Sequence, residues 1–279
     1  LTISIMVSFE PALDIAKLSN DLNKTFASGR RVLSLLEEKP LVPEIENGSN
    51  KIIPSNKTGK VDINIDDITF SYSKFIGSNK KKILQNFSRE FQEGKIHGIL
   101  GKSGCGKSTL LKLMQRYYEV ESGEIFYGES KIDTINTTIL RKNLSFLSQE
   151  TFVFKDTILN NINIAKKNAT RAEIESAAKK ASIHDFIISL SKGYDTKISE
   201  LGESLSGGEK QRIGLARVFL HESPIILLDE PTSNIDSLNE GMILRSLNNE
   251  KSGKTIILVS HRKSTMGVAD TVLEMESLT

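Results

Sequence analysis

A single cysteine, Cys105, occurs in 279 residues, so no internal disulfide can form and the chain fits a reducing compartment. Long apolar runs are missing too. No window approaches the roughly 18 or more apolar residues of a membrane-spanning helix, so no complete span is present. Net charge is nearly absent: 37 Lys and Arg against 35 Asp and Glu leave +2. With the two signs interspersed, this argues against a nucleic-acid surface, and nucleic acid is not an expected partner. The densest basic run, KKK at 80–82, reads as a solvated loop. No internal repeat and no low-complexity tract occurs. The opening stretch LTISIMVSFEP is apolar and begins on Leu, but it has no basic leader and does not read as a signal peptide.

What is present is the composition of an ordinary globular protein, 38% apolar and 26% charged, long enough to bury a sizeable core. Leu18, Leu22, Phe26, Leu33 and Leu36 recur near the helical period. They predict an amphipathic helix, alone or as part of a longer one from Leu1, that stops at Pro40 and Pro43. Residues 43–60, rich in Pro, Gly, Ser and Asn, read as a linker, and the globular domain is expected from Val61. VDINIDDITFSY alternates apolar and polar positions, as half-buried antiparallel strands do. KIHGIL, PIILLDE and KTIILVSH carry short continuous apolar cores and predict central parallel strands. Residues 136–221 read as a helical lobe.

GKSGCGKST at 101–109 fits G-x-x-x-x-G-K-[ST] directly after one of these strands and before a helical run, the context a phosphate loop needs. Backbone amides of Gly104, Gly106 and Lys107 can wrap a phosphate at a helix N-terminus. Lys107 adds a point charge, and the Ser108 hydroxyl can ligate Mg²⁺. Gly101, Ser103, Cys105 and Thr109 complete the loop, Cys105 as a small residue with no redox role. Asp229 follows four apolar residues and so emerges at a strand's carboxyl end, where it can hold a Mg²⁺ shell. Glu230 is expected on the other face as a general base. A D-E pair is otherwise an ordinary cap, and the phosphate loop upstream shifts the reading. His261 also ends a strand, either as a polar cap or as a contact to the γ-phosphate. Tyr72 is either a packed aromatic or a ring for adenine to stack on. In LSGGEKQR at 205–212, Ser206 and Glu209 form a capping box, while Gly207 and Gly208 at a helix N-terminus make a second anion site. The two readings are compatible.

Taken together these residues resemble the ATP-binding cassette family, over nearly all of 61–279. The motifs GKSGCGKST, LSQETFVF with Gln149, LSGGEKQR, IILLDEPTSNID and SHRKST with His261 stand in the family's order. The resemblance implies an α/β phosphate-loop NTPase fold with a parallel core sheet, an antiparallel β subdomain and a helical subdomain, preceded by an amphipathic helix. It also implies ATP and Mg²⁺ as ligands, Gln149 as a catalytic and Mg²⁺-ligating position, and a head-to-tail dimer, homo- or heterodimeric. In that dimer the LSGGEKQR loop, Ser206 to Glu209 included, closes on ATP held by the partner's phosphate loop.

GYDTKISELGESLSGGE, with Glu200 at an acidic position, is similar to the exporter branch. The stretch SFEPALDIAKLSNDLNKTFASGRRVLSLLEEKP resembles the cytoplasmic continuation of an exporter's final membrane helix. Residues 1–42 are therefore expected to end a membrane helix, with a membrane domain of about six helices of roughly 20 residues each preceding them. The expected place is the cytoplasmic face of the cell membrane. SFEP followed by TFASG resembles the thiol exporters of cytochrome bd assembly. Departures from the family pattern are Glu209 for Gln, Leu201 for Arg, and SNID, which keeps the dimer-facing Asp236. The alternatives are an importer ATPase subunit, a non-transport cassette ATPase and a truncated inactive remnant. The amphipathic helix argues against the first, the lack of a coiled-coil insertion or second cassette against the second, and the intact catalytic positions against the third.

Overall fold

The computed structural model describes residues 2–54, 60–72, 82–199, 202 and 204–276. Glu200, Leu201 and two lysines of the KKK run lie outside the described residues. Two compact units divide the chain, Leu1–Pro43 and Glu44–Thr279.

The first unit is one long helix, α1 (Thr2–Glu37), so the longer of the two sequence alternatives holds. It ends three residues before Pro40, whose ring disfavours helical geometry at the residue before it. Leu18, Leu22, Phe26, Leu33 and Leu36 are all exposed. Among the described residues no helix is long and apolar enough to cross a membrane.

The second unit is built on two sheets. β1 (Ile63–Ser71), β2 (Lys82–Phe91), β4 (Ser122–Tyr127) and β5 (Ser130–Lys131) form an antiparallel sheet in the order β2-β1-β4-β5. The other sheet contains β3 (Ile96–Gly101), β6 (Leu144–Leu147), β7 (Ile225–Asp229), β8 (Thr255–Ser260) and β9 (Thr271–Met275). Its order is β6-β7-β8-β3-β9 and every pairing is parallel. The continuous apolar cores read in the sequence are explained by burial on both faces. Ile226, Leu228, Ile256 and Leu258 point into one hydrophobic core, while Ile225, Leu227, Ile257 and Val259 point into another. Each such side chain taken out of water contributes about 1.5–3 kcal/mol.

Helices cover this sheet. α2 (Lys107–Met114) follows β3, and α3 (Thr137–Lys142) precedes β6. α4 (Ile158–Asn163), α5 (Arg171–Lys180), α6 (His184–Ser189) and α7 (Gly207–His221) form the helical lobe, and α8 (Ser237–Glu250) lies between β7 and β8. The lobe is shorter than the expected 136–221, because LSFL within that stretch is β6, an edge strand of the parallel sheet. Four residues are too few for periodicity to separate strand from helix.

The expected linker over 43–60 also differs. From Glu44 to Ile53 it is laced to the rest of the second unit: Ser49 donates to the Thr134 carbonyl, Asn136 and Thr137 donate to the carbonyls of Ser49 and Ile45, and Ile53 donates to Ser130 Oγ. Gly and Asn placed this strap against a neighbour, where their composition had read as free chain. A Cβ on Gly48 would lie 2.6 Å from the Thr134 carbonyl oxygen.

Candidate active site

The carboxyl ends of β7, β8 and β3 are neighbours in the parallel sheet, and each delivers one part of the site. From β3 the chain runs into the glycine loop and α2. Gly104 and Gly106 sit at φ +83° and +103°, a region side chains avoid. A Cβ on Gly106 would also press on Ile83 at 3.2 Å. The loop thereby directs the first amides of α2 outward, where a phosphate can meet them. Lys107 is buried, and its Nζ donates to the carbonyls of Gly101 (2.7 Å) and Lys102 (2.9 Å). Cys105, also buried, lies beneath the loop in the hydrophobic core.

β7 delivers Asp229 and Glu230, both less than a tenth exposed. Burial pushes the Asp229 carboxyl above the usual carboxylate range, against a hydrogen bond from Ser108 that favours its charged form. Glu230 departs from the expected alternation. Its φ is +51°, unusual for a residue with a side chain, so the strand ends and the carboxylate comes back into the same cavity as Asp229. From the end of β8, Ser260 Oγ donates to Glu230 Oε2 (3.3 Å) and His261 Nδ1 stands 2.9 Å from Glu230 Oε1.

One cavity of about 580 Å³ collects Tyr72, Ser103, Gly104, Gly106, Lys107, Ser108, Thr109, Gln149, Asp229, Glu230 and His261. Tyr72 combines its two sequence readings: it lines the cavity, and it is packed edge-on against Phe70 and Tyr118 with its hydroxyl 3.1 Å from Thr109 Oγ1. Gly101 and Cys105 support the loop without lining the cavity.

Ser206, Gly207, Gly208 and Glu209 stand apart from that cavity, at the start of α7. The capping box is formed: Glu209 N–H donates to Ser206 Oγ (3.3 Å) and the Ser206 amide donates to Glu209 Oε2 (2.8 Å), an arrangement worth about 1 kcal/mol. Gly207 lines a second cleft, of about 270 Å³, that also contains Gln149 and Asn234. Gln149 thus lines both. A Cβ on Gly208 would lie 2.6 Å from the Asn234 carbonyl oxygen. Asp236 is the N-cap of α8, accepting from Asn239.

Sequence reasoning missed Gln211 and Arg262. Gln211, one turn into α7, is 1% exposed and donates to the Glu230 carbonyl. Arg262 donates to the carbonyls of Thr232 and Ser233. Both sit inside motifs quoted above. The signal for Gln211 was its i+4 spacing from Gly207, which places it on the same helix face.

A phosphate loop after one central strand, a carboxylate pair after a second and a histidine after a third define a nucleoside-triphosphatase of the phosphate-loop class. Residues 84–233 match the model of the ABC transporter domain, and the chain belongs to the ABC transporter family. It is 49% identical over 275 residues, 99% of this chain and 48% of the relative, to a probable ABC transporter ATP-binding/permease protein of Haemophilus influenzae. It is 34% identical to the ATP-dependent lipid A-core flippase of Syntrophus aciditrophicus, over 98% of this chain and 43% of that protein. Among solved structures it matches a bacterial Atm1-family ABC exporter with ATP bound, at a TM-score of 0.81 and 34% identity, over 91% of this chain and 43% of that one. The chain therefore spans about half or less of the length of these relatives. It is an ATP-binding, ATP-hydrolysing domain of the ABC transporter family, similar to that of an ABC exporter.

Proposed function

We propose that residues 61–279 bind Mg·ATP in the larger cavity and hydrolyse it in a head-to-tail pair of such domains, identical or not, and that hydrolysis drives export by a membrane domain. In this reading residues 1–42 are the end of the last membrane helix with its cytoplasmic extension, residues 43–60 join it to the ATPase, and the ATPase lies at the cytoplasmic face of the cell membrane. The observation that carries the proposal is the convergence of Lys107, Asp229, Glu230 and His261 from three adjacent strand ends. The match to relatives about twice as long, over nearly the whole of this chain including α1, supports the membrane part.

Lys107 exchanges the loop carbonyls for β- and γ-phosphate oxygens when nucleotide enters. Tyr72 stacks on the base. The amides of residues 104–109 hold the phosphates. Ser108 and Asp229, hydrogen-bonded to each other, are hard oxygen donors suited to Mg²⁺, with Gln149 completing the set. Held there, the ion would supply positive charge to offset that of the phosphates. Glu230 takes a proton from the attacking water as its oxygen bonds to the γ-phosphorus. The bond from that phosphorus to the β–γ bridging oxygen breaks, releasing ADP and phosphate. His261 orients Glu230 and faces the γ-phosphate. Ser206, Gly207, Gly208 and the capped first turn at Glu209 serve the ATP of the partner domain.

The test is phosphate release by this chain with Mg²⁺ and with EDTA, beside nucleotide binding by Lys107→Ala. Hydrolysis should need Mg²⁺, and the variant should lose binding. Equal turnover in EDTA, or unchanged binding by the variant, would overturn the assignment.

A further inference from the structure

The first turn of α7 and the catalytic carboxylate are assigned to different ATP molecules in the reading above, yet one buried side chain joins them. Gln211 spends its whole carboxamide on the segment after β7. Nε2 donates to the Glu230 carbonyl (2.6 Å) and to Ser233 Oγ (3.2 Å), while Oε1 accepts from the Asn234 amide (3.1 Å). The residue it grips carries a left-handed backbone. Such a conformation persists only where its surroundings over-determine it. Two other bonds help: the Glu230 amide donates to the Val259 carbonyl, and its carbonyl also accepts from the Ser233 amide. Gln211 is the partner that comes from α7.

α7 itself is firmly seated. A Cβ on Gly214 would fall 2.6 Å from a Leu147 methyl and 2.7 Å from Thr151 Oγ1, beside Gln149. A shift of the first turn of α7 therefore pulls on the Glu230 backbone through one short, buried hydrogen bond, and on Ser233 and Asn234 just after it through two more. That backbone aims the carboxylate at Ser260 and His261.

We propose that Gln211 is a positioning residue: it holds the left-handed backbone of Glu230 by its carbonyl, so that the placement of the LSGGEKQR turn sets the direction of the general base. The proposal rests on the assignment of Glu230 as that base. It makes closure of one composite site felt at the carboxylate of the other through a bond within a single chain.

Two variants of the full 279-residue chain test it. Gln211→Glu keeps shape and the acceptor for the Asn234 amide, but its carboxylate cannot donate to the Glu230 carbonyl. Gln211→Met keeps volume only. Both should lower kcat by about tenfold or more with the Kd for a fluorescent ATP analogue within about twofold of wild type. For Gln211→Glu, the ratio of its kcat to that of wild type should rise as pH is lowered from 8 to 6, because the protonated carboxyl regains a donor. Gln211→Met should show no such recovery. If Gln211→Glu does not fold, the split between kcat and Kd in Gln211→Met decides. A kcat within twofold of wild type, or a parallel loss of ATP binding, overturns the proposal. Failure of the underlying reading is separately visible, as wild-type turnover by Glu230→Gln.

Discussion

His261 Nδ1 and Glu230 Oε1 stand 2.9 Å apart, joining the end of β8 to the residue that follows β7. The contact fixes the imidazole through one nitrogen, at the edge of the cavity. It also occupies one oxygen of the carboxylate, while Ser260 Oγ holds the other at 3.3 Å. Glu230→Gln should therefore keep ATP binding and slow hydrolysis by at least the roughly 10²-fold expected on losing a general base. His261→Ala should cost less in kcat, since Ser260 still holds the carboxylate. Turnover and nucleotide affinity measured side by side distinguish these outcomes. Near-wild-type turnover by Glu230→Gln would refute the base assignment.

Asp229 gives a stability prediction with the opposite sign to most carboxylates. Its pKa is raised by burial, so the fold disfavours the charged form. The stabilising contribution is complete below the unfolded-state pKa and is lost as pH rises through the folded one. In EDTA, Asp229→Asn should accordingly raise the melting temperature at pH 7, and the gain should shrink as pH falls and vanish once both states are protonated. Adding Mg²⁺ and nucleotide should reverse the ranking, because only wild type offers the ion a carboxylate. A lower melting temperature for the variant in EDTA at pH 7 contradicts the desolvation argument.

Much of this site was legible because chemistry fixed both residue type and spacing. The phosphate loop needs glycines at positive φ and a lysine at the first position of a helix, and GKSGCGKST states both. The central strands were legible because burial on two faces requires continuous apolar residues, as in IILL. What remained hidden depends on contacts distant in sequence. The turn at Glu230 follows from bonds to Gln211 and Val259, 19 and 29 residues away, and no local pattern announces it. β6 is four residues long and gains its identity from pairing with β7. The strap at 44–53 has the composition of free chain, and only its partners at residues 129–137 make it structure.

That strap separates two truncations. Residues 1–43 form their own unit, and removing them should leave the melting temperature of the ATPase unit within a few degrees. Removing residues 1–54 also deletes the bonds to Thr134, Asn136, Thr137, Ser130 and Glu129. Each contributes about 0.5–1.5 kcal/mol, partly offset by the entropy of ordering the strap. For a domain of this size about 2–4 °C is lost per kcal/mol, so a drop of roughly 5 °C or more is expected. Equal melting temperatures for the two truncations would show that the strap contributes nothing net.

The two-chain reading makes a quantitative prediction about mixtures, and the structure decides which variant to use. A side chain at Gly208 would strike the Asn234 carbonyl of its own chain at 2.6 Å, whereas at Gly207 the nearest atoms of Asn234 are 3.6 Å away. Gly207→Asp therefore puts a negative charge against the partner's phosphate with less disturbance of the loop that follows Glu230. Lys107→Ala disables the phosphate loop instead. Each protein alone has every composite site broken and should be nearly inactive. Mixed in equal amounts, half of the randomly formed dimers pair one of each, and one of the two sites in such a dimer joins an intact phosphate loop to an intact glycine turn. About a quarter of wild-type activity should return if the sites act independently. The rate per chain should also rise with protein concentration, since dimerisation precedes hydrolysis. No recovery in a mixture shown to contain heterodimers would exclude independent sites, and concentration-independent turnover by a verified monomer would exclude the shared site itself.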